Sequence, residues 1–250
     1  MNRDFNSAIV NDVAHRPWPM PNRPWVMTQT WHDLLFAHWA VEATSLRSKV
    51  PAAFELDLYK GTAWVAVVPF RMTNVAPRGV PALPWVSEFP ELNVRTYVRV
   101  ADRPGIYFFS LDAGSGMAVF AARTLFNLPY YTASMDVAAR AHGIDYRSSR
   151  ALEPAELIGT YRPVGPAFQP SEGTLEYFLT ERYCLYHADR HGEPYRLEIH
   201  HPRWQLHVAD ATLVRNTIAT PSGIALAGQP QLLHFAKRQD AVAWLPTKLR

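Results

Sequence analysis

Residues Glu91 to Val100 carry the most regular alternation of polar and apolar positions in the chain. As a strand, this run places Glu91, Asn93, Arg95 and Tyr97 on one face and Leu92, Val94, Thr96 and Val98 on the other. A face of that kind either meets solvent or lines a polar cavity. Met27–Val41 alternates at first, with Thr28, Thr30 and His32 set against Gln29, Trp31 and Asp33, and then turns continuously apolar. Both strand and helix fit the run; a strand that becomes buried on both faces accounts better for the change. Glu42–Val50 predicts a short helix capped by Thr44 and stopped by Pro51. Phe54–Tyr59 and Thr62–Met72 predict a hairpin turned at Lys60-Gly61. Asn74–Pro90, punctuated by Pro77, Gly79, Pro81, Pro84 and Pro90, predicts a long irregular loop. Its Trp85 and Phe89 give it an apolar underside suited to a cavity mouth.

Further along, Ile106–Asp112, Pro129–Val137, Tyr146–Arg150, Glu156–Val164 and Thr180–Tyr186 read as strands. Met117–Phe126 and Thr174–Leu179 read as helices, the second opened by Ser171 or Thr174 with Glu172 or Glu176 favourable to its dipole. Pro166–Pro170 reads as a loop. Tyr195–His201 pairs back across a turn at His191–Pro194, and Trp204–Val214, Gly223–Leu233 and His234–Trp244 continue the strand-rich pattern. Many strands at short spacing with Gly/Pro turns argue for a barrel or a sandwich, mainly β with a few short helices. Residues 1–26 differ: Pro17, Pro19, Pro21 and Pro24, with Trp18 and Trp25 among them, predict an extended arm lying on the body. A packed tail, a lid and a dimer contact all fit it. Residues 27–250 then make one domain.

Composition narrows the function classes. Hydrophobic residues are 48% and charged residues 19% of the 250, which excludes bulk disorder. The net charge of +3 comes from scattered arginines, the lysines being Lys49, Lys60, Lys237 and Lys248. Nucleic acid is not an expected partner, because binding it requires a clustered basic face. No apolar run approaches the ~20 residues of a membrane helix and no secretory signal is present, so a cytoplasmic protein is expected. Cys184 is the only cysteine, which excludes an intrachain disulfide and cysteine zinc sites, and it reads as a buried, inert thiol. His200 and His201 cannot both face one site on a strand, and His32 and His38 share parity but lie about 20 Å apart. Neither a metal nor a cofactor is expected; no GxGxxG, P-loop or GxSxG occurs. Ser115, in Gly114-Ser115-Gly116, reads as a turn and helix cap.

Five segments stand out in combination: Trp31 with Leu34-Leu35-Phe36-Ala37-His38-Trp39, Glu91–Tyr97, Asn127-Leu128-Pro129-Tyr130-Tyr131, Phe178–Tyr183, and His201-Pro202-Arg203-Trp204. Together they resemble the YqjF-like proteins, bacterial proteins of unassigned function that resemble the acetoacetate decarboxylase superfamily. Arg123–Tyr131 also resembles the decarboxylase segment that carries the Schiff-base lysine, and Leu46–Pro51 followed by Phe54–Asp57 resembles its helix-then-strand entry. The resemblance implies an α+β, mainly β fold, an acetoacetate decarboxylase-like mixed β-barrel around a largely apolar central cavity. It also shows what has changed. Tyr130 and Tyr131 stand where the family has the Schiff-base lysine and the lysine that depresses its pKa. A family arginine falls near His32, and one of two glutamates near Val67 or Val68. Only Glu91 and Arg123 match in kind. Parent chemistry needs an amine nucleophile with a lowered pKa, so the resemblance argues for the scaffold without that reaction.

Two function classes follow. One is a barrel holding a small apolar or oxo-acid metabolite, with His32, Asn93, Arg95, Arg123, Asn127 and Tyr131 as ligand-binding candidates. The other is a lyase- or isomerase-like enzyme with Glu91 as acid/base and Tyr130 as hydrogen-bond donor. An arginine would hold a substrate carboxylate bidentately. A third class, an oligomer subunit with a purely structural role, gives the polar strand faces no purpose; homo-oligomerisation itself stays open.

Overall fold

The polar face of Glu91–Val100 is not solvated, and the reason is the way the sheet closes. The computed structural model describes residues 9–82, 87–116 and 128–249. Four long strands form its first half: β1 (Met27–Val41), β3 (Ala63–Pro77), β4 (Phe89–Val100) and β5 (Arg103–Ala113), with the two-residue β2 (Glu55–Leu56) between β1 and β3. After β6 (Tyr130–Thr132), β7 (Ser134–Arg140), β8 (Gly143–Ser149) and β9 (Glu156–Phe168) come β10 (Cys184–Ala188) and β11 (Pro194–His200). The last strands are β12 (Leu206–Asn216), β13 (Leu232–Ala243) and β14 (Thr247–Lys248). Hydrogen bonds run in the order β11-β10-β5-β4-β3-β1-β13, and Ile199 and His200 of β11 pair with Ala243 and Val242 of β13. That last pairing closes a ring. Beyond β13 the sheet continues through β12, β9 and β8 to β7.

This arrangement makes two cores. Inside the ring, Leu34 and Phe36 of β1, Val68, Phe70 and Met72 of β3, and Leu197 of β11 converge. On the outer side of the same wall, Leu35, Ala37, Val65, Val67, Leu92 and Val94 are covered by Tyr146, Leu157, Tyr161 and Ala209 of the extension. Both faces of β1, β3 and β4 are therefore buried, which explains the continuously apolar stretches.

Local chemistry shapes the ring. Asp33 sits at φ 53° and Asn74 at φ 54°, and the β1–β3 register shifts near each of them. The extra residue at Asp33 flips the strand's parity. Gln29 and Trp31 face the cavity before it, Leu34 and Phe36 after it. The bulge also separates His32 from His38, so their expected common parity does not hold. The exposed side of the bulge is anchored: Arg71 and Lys237 meet the Asp33 carboxylate at 2.9 and 2.8 Å, and the Tyr161 hydroxyl donates to its carbonyl at 2.8 Å.

Several predicted boundaries move. Asn74–Pro90 is not a loop at its two ends: β3 runs to Pro77 because Thr28 and Met27 pair with Ala76 and Pro77, and β4 begins at Phe89. Leu83–Val86, and so Trp85, lie outside the described residues, as does the predicted helix Met117–Phe126. The Lys60-Gly61 turn forms, with Tyr59 bridged to Thr62, but the strand before it pairs with β4, Glu55 opposite Arg99. Helix α1 (Ala43–Arg47) is capped at Glu42 without a side-chain bond, so Thr44 is not its cap. Helix α2 (Leu175–Thr180) is capped by Thr174, whose Oγ1 accepts from Tyr177 N–H. Thr180 therefore ends a helix, and the strand that follows starts at Cys184. The Pro129–Val137 strand breaks at Ala133 into β6 and β7, and β9 extends into the expected Pro166–Pro170 loop as far as Phe168. Gly223–Leu233 is irregular up to β13; its Ile224 and Leu226 fill the second core, which mimics a strand pattern.

Residues 9–26 lie along β11 and β13. Arg16 reaches the Glu198 carboxylate at 2.6 Å and the Ile199 carbonyl at 2.7 Å, Trp18 donates to Glu198 at 2.9 Å, and Ile9 packs on Val242 and Trp244. Cys184 is buried, and burial pushes its thiol up to about 12, so it is inert at neutral pH. No helix among the described residues is long and apolar enough to cross a membrane.

Ring closure needs one close approach. β10 pairs with β5 in parallel only at Leu185–Ile106 and Tyr186–Tyr107. A Cβ added at the neighbouring Gly105 would stand 2.6 Å from the Tyr186 ring and 2.8 Å from both the Cys184 carbonyl and its sulfur. Gly105→Ala is expected to destabilise the protein by about 1–3 kcal/mol, read as a lower urea midpoint.

Candidate functional site

The ring interior is not filled. Its side chains leave a cavity of about 300 Å³ whose walls come from β1, β3, β4, β5, β10 and β11 and from the segment around Thr180–Trp204. Most of the lining is apolar, with Phe36, Phe70, Phe108, Leu111, Leu185 and Trp204 among the larger groups. One wall is different. Strand periodicity points Glu91, Asn93 and Arg95 of β4 inward as a row, while Leu92 and Val94 enter the second core. The three polar residues are only 3, 4 and 7% exposed. Of the two readings of this face, the cavity is the one the fold realises.

Glu91 is held on both sides of the wall. The Tyr146 hydroxyl donates to its carbonyl from the second core at 2.7 Å, and the Tyr130 hydroxyl donates to its carboxyl Oε2 inside the ring at 2.8 Å. Burial raises the Glu91 pKa from 4.5 to about 8; the Tyr130 hydrogen bond opposes the rise, and the charge of Asp112 adds to it. The group is thus a neutral carboxylic acid at pH 7. Tyr130 is itself pushed well above the usual phenol range by burial and then by Glu91. Asp112 does not enter the cavity's chemistry directly: Arg150 clasps both of its oxygens, at 2.6 to 2.9 Å.

Arg95 lies farther along the row. Its guanidinium stands 5.3 Å from the Phe36 ring and 5.9 Å from the Tyr97 ring, and one nitrogen reaches the Leu179 carbonyl at 3.4 Å. Its Nε and the Asn93 Oδ1 are buried without a hydrogen-bond partner among the described residues. Behind it, the Tyr97 hydroxyl and His38 Nε2 are 2.7 Å apart. His38 is held well below its ordinary value, first by burial and then by the Arg95 charge, so it is neutral. A second cavity arginine, Arg182, bonds Asp57 at 2.6 Å and lies 4.2 Å from the Phe178 ring. His201, stacked on Tyr183 at 4.7 Å, is driven by burial to about 4 and is also uncharged.

Glu91, Tyr130, Asn93 and Arg95 are therefore brought together. His32 is not: Trp31 takes the inward position, and His32 is half-buried on the other side of β1, 2.8 Å from Thr73 Oγ1. Tyr131 alternates away from Tyr130 and lies under the Arg150 guanidinium at 4.0 Å, outside the cavity lining. Arg123 and Asn127 fall outside the described residues. Gln29, Trp31, Thr180, Arg182, His201 and Trp204 line the cavity without having been singled out as ligand-binding residues. The parity of Gln29 and Trp31 with the later bulge was the missing signal for the first two. Arg182 was hidden by reading its segment as a strand. No lysine is among the described lining residues.

The Glu91 proton has a consequence for stability. The folded chain keeps it where the unfolded chain, with a carboxyl near 4.5, has released it. The group's contribution is full below pH 4.5 and is lost as pH rises to about 8. Stability of the natural chain relative to Glu91→Gln should fall across that window, by about 1.4 kcal/mol per pH unit at the steepest. Urea unfolding of the two proteins at stepped pH measures it; parallel curves would show that Glu91 is ionised in the folded state.

Comparison with known proteins agrees with this architecture. Residues 28–240 match the DUF2071 family model, described as an uncharacterized conserved protein. The chain is 45% identical over 226 residues to uncharacterized protein YqjF of Bacillus subtilis (strain 168), covering 90% of this chain and 93% of that one. Among solved structures, acetoacetate decarboxylase from Legionella pneumophila subsp. pneumophila str. Philadelphia 1 is similar with a TM-score of 0.62 at 12% identity, over 97% of this chain and 95% of that one. The enduracididine biosynthesis enzyme MppR complexed with pyruvate gives 0.62 at 10% identity, over 94% and 93%. These structural likenesses establish a shared acetoacetate decarboxylase-like fold. With the family model spanning most of its length and a relative at this level of identity, the chain belongs to the DUF2071 family.

Proposed function

We propose that the protein binds a small apolar or oxo-acid metabolite inside the ring, without the Schiff-base chemistry of acetoacetate decarboxylase. The observation that carries this reading is the cavity itself: about 300 Å³ walled by aromatic and aliphatic side chains, with a buried polar row along one strand. Enclosed apolar pockets with a few convergent polar groups are the usual form of small-molecule sites. The match of Tyr130 to the family's lysine position supports a binding role over the parent reaction. MppR, which shares the fold, is described in complex with pyruvate. The partner is then a cytoplasmic metabolite rather than nucleic acid or a membrane, and residues 1–26 form an arm on a single domain of residues 27–250.

Val68 lines the cavity from β3. Val68→Phe projects into the void, so it should fold with little loss of stability and should lose a ligand that the natural chain retains. Native mass spectrometry of the purified proteins, with identification of anything released, measures this. A natural chain with no added mass and no thermal shift on a panel of small oxo acids and apolar metabolites would count against the reading.

The raised pKa of Glu91, about 8, supports a second reading: a lyase- or isomerase-like enzyme in which Glu91 moves a proton and Tyr130 donates to a developing oxyanion. Solvent deuterium incorporation beside the carbonyl of an added oxo acid, followed by NMR, tests it. Glu91→Gln should slow exchange by about 100-fold or more. Exchange no faster than in buffer would leave binding as the function.

A further inference from the structure

The described residues bury the arginines Arg16, Arg95, Arg150 and Arg182. Three of them have a carboxylate at 2.6 Å: Glu198 for Arg16, Asp112 for Arg150 and Asp57 for Arg182. Arg95 has none within ion-pair distance among the described residues, although it is as deeply buried as the others. The segments outside the description contribute only one acidic residue, Asp4. A buried cation left uncompensated is strongly unfavourable, and folded chains normally pair it. The aromatic faces of Phe36 and Tyr97 relieve part of that penalty. They do not supply a charge.

We infer that the cavity's occupant is a monoanion, a small carboxylate with an apolar body, and that Arg95 holds its carboxylate. The inference rests on the binding role proposed above and specifies the ligand class. The charge count around the cavity selects a single negative charge. Arg182 is matched by Asp57, which the half-exposed Arg99 also approaches at 3.6 Å. His38 and His201 are neutral because burial depresses both, and Glu91 is neutral because burial raises it. Glu181, buried between the lining residues Thr180 and Arg182, is held by the Tyr183 hydroxyl and the Trp204 N–H, and Arg95 remains the cavity-lining cation with no carboxylate in ion-pair contact among the described residues. A phosphate, with up to two charges and more acceptor oxygens, would lack counter-charges here. The partnerless Nε of Arg95 and Oδ1 of Asn93 show that hydrogen-bonding capacity on the same wall is also unused. Asn93 can turn its amide N–H toward the carboxylate. The apolar remainder of the ligand lies against Phe70, Phe108 and Leu111. Its far end reaches toward Glu91, whose acid O–H suits a carbonyl or hydroxyl oxygen.

Isothermal titration of the full chain with hexanoate, hexanamide and 1-hexanol tests this, since the probes share a chain and differ in charge. The natural protein should prefer hexanoate over hexanamide by about tenfold or more. Arg95→Met should erase that preference, and Arg95→Lys should keep part of it. Without ligand, Arg95→Met should melt at a higher temperature than the natural chain, because an unpaired buried charge has been removed. Equal binding of hexanoate and hexanamide by the natural chain would overturn the anion inference and leave the cavity reading standing. So would a preference that persists in Arg95→Met. If the natural chain binds none of the three probes and carries no ligand by native mass spectrometry, the cavity reading fails and the inference with it.

Discussion

Two residue pairs, Ile199 with Ala243 and His200 with Val242, turn an open sheet into a ring. Without them β11 would not meet β13, the sheet would run open from β14 to β7, and the face bearing Glu91, Asn93 and Arg95 would be wet. With them, that face is enclosed and every group on it must find a partner or remain buried alone. The closure is short, and other contacts reinforce it. Arg16 and Trp18 converge on Glu198, one residue before Ile199, and Arg103 of β5 and Arg196 of β11 form ion pairs with the same carboxylate at 3.2 and 2.9 Å. One acidic group thus ties residues 9–26, β5 and β11 together at the seam. Its deep burial means that the desolvation of Arg16 is offset by a close partner and not by water.

A closed ring also divides labour between its faces. The outer face of β1, β3 and β4 packs conventionally under the sheet extension, and the tyrosines there satisfy main-chain groups: Tyr161 the carbonyl at the Asp33 bulge, Tyr146 the carbonyl of Glu91. Rigid support from that side fixes the wall on which the cavity's polar row stands. The inner face packs less completely. Protein interiors are normally close to crystal density, and this departure from it, with polar groups left unused on the same wall, is what the proposed binding role rests on.

Much of this was legible in the sequence where a single strand carried the signal. The alternation of Glu91–Val100 gave the strand, its two faces and the identity of three lining residues, and the family resemblance placed Tyr130 beside them. Met27–Val41 was legible as a strand to the residue. The bulge within it was not, because nothing in Trp31-His32-Asp33-Leu34 marks an extra residue, and the parity assigned to His32 and His38 failed there. Long-range pairings were also hidden. Arg182 and Asp57 are far apart in the chain and meet only because the ring brings Thr180–Tyr183 beside the residues that follow β2. The prolines of Asn74–Pro90 suggested a loop throughout, yet Pro77 ends a strand and Pro90 sits at the start of one, positions where a missing N–H is tolerated.

The spacing of the polar row decides how its two ionisable ends relate. Glu91 and Arg95 are four residues apart on one strand, about 13 Å along the wall. At that separation an ionised Glu91 would offset the Arg95 charge by only about 1 kcal/mol at an effective dielectric of 20. Burial of the carboxylate costs more than that, so the acid keeps its proton. The two do not form an internal pair that a ligand would have to break. A neutral donor at one end and a fixed cation at the other, joined by Asn93 and faced with aromatic rings, present complementary features to a molecule long enough to span them. The same row would give poor purchase to a small symmetrical anion or to a purely hydrocarbon guest.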